Sequence, residues 1–416
     1  MTYQANASTE QLCEKWNGVL ENDKFSSITD QHRKKVTAVL LENTDKMLAE
    51  ANTTTSISAQ NTGGGYGFDP ILISMIRRMA PKLIAYDIVG VQPLQMPTGL
   101  IFAMKARYGN DGTGAEAQGL TEADTDYAGA GTHLGSDPWL GVSYTTGTAI
   151  ATGTAETATW AAMSMTIDKV AVTAKDRQLR ADYSLSLQQD LKAIHGLDAD
   201  TELANILSTE IISEVNREIV RNLYTIAKPG MQQHSLSTTT GTGDEKGIFN
   251  ITADSDGRWS AERFKALHFA IEREANMIAY ETRRGKGNFI VTSANVASAL
   301  VIGGMLDYAP ALPSGADLEI DVTGATYAGQ MGRYKVYIDP YLSTDGFLVG
   351  YKGQSAYDAG YFYCPYTPLQ MVRANDPTNF QPAIGFRTRY GVVANPFTTL
   401  TANSNTYYRK VKVVGL

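Results

Sequence analysis

The chain has 416 residues, of which 43% are hydrophobic and 19% charged, with a formal net charge of −7. That length allows two or three domains, or one large domain with excursions. The acidic balance, with no long Lys/Arg cluster, argues against tight non-specific nucleic-acid binding, which needs clustered cations to displace counterions. Cys13 and Cys364 are too far apart for a disulfide framework or zinc spacing and fit a reducing cytoplasm. No basic-then-apolar leader is visible, and no apolar run approaches the ~18 residues of a membrane span.

In chain order, residues 1–50 read as a separate helical unit. Leu12, Trp16, Val19 and Leu20 make one stripe; Val36, Val39, Leu40, Met47 and Leu48 make a second. Thr29 or Asp30 is the expected N-cap of the second helix. The triplet Arg33-Lys34-Lys35, flanked by Asp30 and Glu42, reads as a solvated helix face. The stretch ANTTTSISAQNTGGGYGFDP then changes composition and reads as a flexible arm.

A short helix broken at Pro81 is expected next, followed by strand-like YDIVGVQPL and LIFAMKARY around the turn Pro97-Thr98-Gly99. From Tyr108 to Asp168 there is no Lys or Arg, while Asp111, Glu116, Glu122, Asp124, Asp126, Asp137 and Glu156 punctuate a Gly/Thr/Ala background. This is a long surface excursion with short strands.

Residues 165–195 read as strand then helix. The longest helix opens at Asp198 as N-cap, with Glu202 in its first turns and Leu203, Leu207, Ile211, Val215, Ile219 and Leu223 as its stripe, reinforced by Ile206, Ile212 and Ile226. Pro229-Gly230 is its expected stop. About 30 residues at 1.5 Å each make a beam of roughly 45 Å. A second amphipathic helix over 260–281 runs through Phe264, Leu267, Ile271, Ala275 and Ile278. The strand NFIVTS, helix ANVASALVI and strands KVYIDPY and GFLVGYKG follow. AIGFRTRYGVVAN and TYYRKVKVVGL close the chain around a polar loop at 397–406. The order is mixed α+β, without βαβ regularity or internal repeat.

No catalytic or cofactor pattern emerges. Lys286 in ETRRGKGNF is followed by Gly287, so the segment is a turn between helix and strand and not a phosphate loop. GGGYG lacks the preceding strand of a dinucleotide fingerprint. His32, His133, His195, His234 and His268 show no metal-ligand spacing. Cys364 sits in an aromatic strand with no nameable base beside it and reads as a buried thiol. Asp198 and Asp200 open a helix, for which capping is explanation enough. The 22 tyrosines suit either interfaces or sheet interiors.

Several blocks carry a resemblance. PKLIAYDIVGVQPLQMPTG, KDRQLRADYSLSLQQDLKAIHGLDADTEL, RRGKGNFIV, YAGQMGRYKVYID, VGYKGQSAYDAG, NDPTNFQPAIGFRTRYGVVANPF and YYRKVKVVGL resemble, in order, the major capsid protein of T-even-type contractile-tailed bacteriophages. The resemblance implies an α+β, Hong Kong 97-like capsid fold. It implies a cleavable propeptide over 1–50, an N-arm over 51–80 and a first peripheral-domain segment over 81–99. An E-loop would span 100–168, with a reduced insertion, since the family's type member is longer after the equivalent of KARYGN. The peripheral domain with its spine helix would cover 169–229, the axial domain 230–380, and peripheral C-terminal strands 381–416.

The resemblance also implies a maturation site, because the family's prohead protease cuts after Glu in the pattern Leu/Ile-x-Glu-Ala/Gly. Leu48, Glu50 and Ala51 match it. The implied function is a structural subunit of hexameric capsomers in an icosahedral head enclosing DNA. The implied location is the virion, after assembly in the host bacterial cytoplasm. Implied partners are further copies of itself, the vertex protein, a scaffold or core protein, the prohead protease, the portal and decoration proteins, with no membrane and no sequence-specific nucleic acid. The alternatives are the related vertex protein of the same fold, a surface or tail structural protein, and an enzyme.

Overall fold

A computed structural model describes residues 10–20, 28, 30–52, 83–110, 116–117, 123–134, 144–230, 247–252, 255, 257, 259–304, 306–308, 326–353, 355, 358–375, 381–396 and 401–416. The N-terminal elements are α1 (Asn17–Leu20), α2 (Gln31–Asn52), α3 (Ala85–Ile88) and β1 (Gly90–Val91). They are followed by β2 (Thr98–Tyr108), β3 (Glu116–Ala117), α4 (Thr152–Ala155), β4 (Met163–Thr173) and β5 (Lys175–Asp182). The middle holds α5 (Leu185–Ile194), α6 (Ala199–Ile226), β6 (Ala227–Pro229), β7 (Ile248–Asn250) and α7 (Ser260–Thr282). Then come β8 (Phe289–Thr292), α8 (Ala294–Ile302), β9 (Asp307–Tyr308), β10 (Thr326–Met331), β11 (Tyr334–Ile338) and β12 (Gly346–Gly350). The chain closes with β13 (Tyr361–Asn375), β14 (Pro382–Ala394) and β15 (Asn405–Val414).

Three sheets result. One orders β1-β13-β14-β5, the second β6-β15-β12-β8-β11-β10-β9 with β7 also on β15, and the third β3-β2-β4. The central strands of the second sheet are covered on both faces, and FIVT and GFLVG are buried at every position. Phe289, Val291 and Leu348 face the core shared with the first sheet and α6. Ile290, Phe347 and Val349 face the opposite core, under α7 and α8.

The expected stripe of α6 is the buried one: Leu207, Ile211, Val215, Ile219 and Leu223 pack with Ile212, Val220 and Ile226. Each such side chain contributes about 1.5–3 kcal/mol on burial. Polar groups on the same helix fix its partners. Asn216 accepts from the Ile84 N–H at 3.1 Å, and Arg177 of β5 reaches Glu214 at 2.5 Å and Glu218 at 2.6 Å. Two details differ from expectation. Asp198 stands at the N-cap, but its carboxylate takes the Thr201 hydroxyl at 3.2 Å instead of a backbone N–H. The helix ends at Ile226, before Pro229, because residues 227–229 are drawn into β6 beside β15.

The YDIVGV stretch is not a continuous strand: Ala85–Ile88 make one helical turn before the two-residue β1. The two loops of α7–β8 and α5–α6 fall where the glycines suggest, with Arg283 at φ 53 ending α7 and Gly196 at φ 66 after α5. Tyr334, Tyr361, Tyr363 and Tyr408 are among the largest fully buried side chains, so much of the tyrosine complement fills sheet interiors.

Candidate assembly surfaces and maturation segment

The β2–β4 hairpin projects an unburied apolar face. Its register sets Leu100 opposite Ala171, Met104 opposite Ile167, Ala106 opposite Met165 and Tyr108 opposite Met163. Directly opposed residues share a face, so Leu100, Phe102, Met104, Met163, Met165 and Ile167 lie together. All six are exposed, Phe102 at 58% and Met165 at 66%. The other face carries the Lys105–Asp168 ion pair at 2.8 Å and the bond from Arg107 to the Thr166 hydroxyl at 3.2 Å. At the root, Ile101 and Val172 enter a core with Leu94, Phe362, Cys364 and Val393. Exposed Lys169, opposite Phe102, adds a charge to this face, and apolar side chains clustered around it in this way mark contact with other protein more often than a surface left to water.

A second such surface lies on α5. Ser184 caps the helix by accepting from the Leu187 N–H, yet no residue of α5 is buried. Leu185, Leu187, Ile194 and the following Leu197 are exposed, as is Ile206 on the neighbouring α6.

The N-terminal helices are not a unit apart. Val36 and Leu40 of α2 are buried in the main core with Leu83, Ile84 and Val89. Ala38 and Leu41 pack instead with Trp16 and Leu20, and Lys15 bonds Glu42 at 2.7 Å. Asp30 is the cap, accepting from the His32 N–H at 3.0 Å. The basic triplet is half-buried and not a solvated face. Arg33 reaches Asp87 at 3.3 Å and lies 5.1 Å from the Tyr86 ring centroid. The His32 ring meets the Val91 carbonyl at 3.1 Å, and burial holds its pKa below the usual histidine value. Nearby, Lys352 donates to the Tyr86 carbonyl, and burial pushes its ammonium down to about 8.

Leu48, Glu50 and Ala51 fall in the last turns of α2, which runs on to Asn52. The composition change after residue 50 therefore does not end the helix at the motif. The arm over 53–80 and the helix expected before Pro81 lie outside the described residues.

Among the described residues no group of three or more His, Cys, Asp or Glu is placed to hold a metal ion, and no helix is long and apolar enough to cross a membrane. Burial pushes the Cys364 thiol up to about 12, leaving it inert as a nucleophile. Asp124 and Asp126 share a hydrogen bond that raises the first and lowers the second, on an exposed loop. A cavity of about 390 Å³ is lined by Tyr183, Asp200, Arg373 and Ile384. Its Asp200 takes the Tyr183 hydroxyl and faces Arg373 at 3.9 Å, a pairing that ties α6 to β13. His268 contacts the Met331 sulfur and His133 the Thr125 hydroxyl, while His195 closes α5.

The described residues present exposed apolar surfaces on the hairpin and on α5, and the titratable groups singled out above pair within the fold. The model of the Gp23 major capsid protein family matches residues 66–413, and this chain belongs to that family. It is thus a phage capsid protein, a structural component of the virion shell and not an enzyme. The major capsid protein of Salmonella phage ViI is 40% identical over 443 residues, covering 97% of each chain. That of Enterobacteria phage T4 is 33% identical over 521 aligned residues, covering 98% of this chain and 99% of its own. The longer T4 alignment, set against a chain of 416, means that T4's protein carries additional residues inside the shared span. The T4 capsid vertex protein is 26% identical over only 56% of this chain, a weaker match than the major capsid proteins. Among solved structures, the capsid of Myoviridae phage XM1 overlays with a TM-score of 0.41 at 9% identity, covering 88% of this chain and 98% of that one.

Proposed function

We propose that this chain is the hexamer-forming shell subunit of a Hong Kong 97-like head, matured by cleavage after Glu50. In this reading β2–β4 with its connecting excursion is the E-loop, α6 the spine helix and the second sheet with α7 and α8 the axial domain. Residues 51–80 are the N-arm. The observation that carries the proposal is the hairpin's outer face. Leu100, Phe102, Met104, Met163, Met165 and Ile167 are exposed and would gain burial against another chain, and for a family of major capsid proteins that chain is a neighbouring copy. The exposed side of α5 offers a second contact of the same kind.

Cleavage of Leu48-Ala49-Glu50-Ala51 requires the last turns of α2 to unwind, because a protease binds its substrate as an extended strand. The helix end is where unwinding costs least, since the last four carbonyls have no partner within the helix. The family model begins at residue 66, beyond the segment that cleavage would remove. The implied partners are the prohead protease, a scaffold or core protein, the vertex and portal proteins and decoration proteins, met during assembly in the host cytoplasm.

The test is mass spectrometry of intact particles, reading the N-terminus and abundance of this chain. An abundant chain starting at Ala51 is the expected result. An abundant chain starting near Met1 overturns the maturation step but keeps the shell role. A scarce chain overturns the hexamer role in favour of the vertex.

A further inference from the structure

The helix that maturation would detach is tied to the root of the projecting hairpin through Asn43. Asn43, buried on α2, donates from Nδ2 to the Leu94 carbonyl at 2.8 Å and to the Tyr366 carbonyl at 2.9 Å. These two acceptors belong to different elements. Tyr366 lies at the β13 bulge, where pairing with β14 shifts between Pro365 and Thr367. Leu94 lies between β1 and β2, its own N–H bonded to the Pro365 carbonyl at 2.9 Å. The Leu94 side chain also closes over the start of the hairpin. A Cβ on Gly99 would come within 2.4 Å of Leu94 Cδ2, and Leu94 shares its core with Ile101 and Val172. Leu94 is therefore the point at which the hairpin leaves the body, and Asn43 holds it there.

We propose that α2 is an intramolecular latch: through Asn43 it fixes the angle at which β2–β4 leaves the body, and its departure releases that root. The latch rests on the maturation reading only for the moment of opening; its contacts are those of the intact chain. A cut after Glu50 does not itself break Asn43's bonds. It removes the tether that keeps α2 at high effective concentration over its seat, so docking becomes dissociable. Once α2 leaves, the Leu94 and Tyr366 carbonyls lose their shared donor, and buried acceptors do not stay unpaired. The root must take up water or repack, and either event re-aims the apolar face toward the neighbouring chain.

The test uses the uncut full-length subunit and hydrogen exchange read by mass spectrometry. Asn43→Asp keeps the shape but replaces the donor with an acceptor. Peptides covering 94–108 and 163–173 are expected to exchange about ten-fold faster, the change expected for loss of one buried hydrogen-bond donor, while peptides from α6 keep their protection. Unchanged exchange at 94–108, or acceleration that appears equally in α6, overturns the latch. If Asn43→Asp fails to fold, the unsubstituted chain still decides: a latch requires α2 and the 94–101 segment to open as one unit with matching protection, and unequal protection overturns it. Because every measurement is made on uncut chain, failure here leaves cleavage at Glu50 standing. A particle N-terminus near Met1 would remove the cleavage and leave the latch intact.

Discussion

Arg409 Nη1 lies 3.1 Å from Glu274 Oε2, and both side chains are almost sealed from water, at 3% and 2% exposure. The pair joins β15 to α7 and extends through Glu281, 2.5 Å from Arg409, to Lys228 at 2.8 Å. Glu274 also occupies the space beside Gly230, where a Cβ would stand 2.6 Å from Oε2.

Removing one partner of such a pair strands the other. Glu274→Leu is expected to cost about 3–5 kcal/mol, whereas Glu274→Leu combined with Arg409→Met recovers most of the loss by replacing both charges with apolar volume. Urea unfolding of the single and double variants checks this. A double variant no more stable than the single one would show that the pair is not the source of the cost.

The hairpin face leads to a different outcome, in which assembly and stability separate. Met104 and Ile167 stand opposite one another and are exposed. Met104→Glu with Ile167→Glu should change unfolding stability by no more than about 1 kcal/mol, as expected for surface positions and one like-charge cross-strand pair. Shell formation, followed by sedimentation and electron microscopy, should be abolished. Normal shells from this variant would exclude the face as a subunit contact.

Tyrosine burial sets the alkaline limit of the fold. Burial pushes Tyr334, Tyr351 and Tyr407 up to about 12, and raises Tyr86, Tyr361, Tyr363, Tyr390 and Tyr408 further. In the unfolded chain each ionises near ~10. The folded state therefore holds more protons above that value, so their contribution is fully present below pH ~10 and is lost as pH rises toward the folded values. Phenolate absorbance from the buried rings is expected to rise in a cooperative step that coincides with loss of circular dichroism. A single smooth titration near ~10 would contradict the buried placement.

Much of this architecture was legible in the sequence. α6, α7, β8, α8, β11, β12, β14 and β15 stand where periodicity and continuous apolar runs put them, because their burial is decided by their own pattern. What was not legible depends on partners distant in sequence. Ala85–Ile88 is helical because the Ile84 N–H finds Asn216 on another helix. The full length of β13 was hidden by Pro365 and Pro368, which it tolerates because its pairing with β14 shifts register around both. The docking of α2 rests on Asn43, a polar residue among helical polar residues until Leu94 and Tyr366 are brought beneath it. Exposure of Phe102 and Met104 was equally unreadable. An alternating strand announces an apolar face but not whether the chain itself covers it. Leu48, Glu50 and Ala51 were marked by the family's cleavage pattern and by the composition change beside them.

α6 passes from Ile226 into β6 without an intervening linker, so one continuous piece of backbone is core of the first sheet and edge strand of the second. No swivel is available at that junction, and Phe289, Val291 and Leu348 glue the same two layers from the other side. A closed shell asks copies of one chain to meet at unequal tilts. If the hairpin and α5 are the contacts between copies, as proposed, a body stiffened in this way leaves that curvature to be absorbed at those limbs and not in the interior.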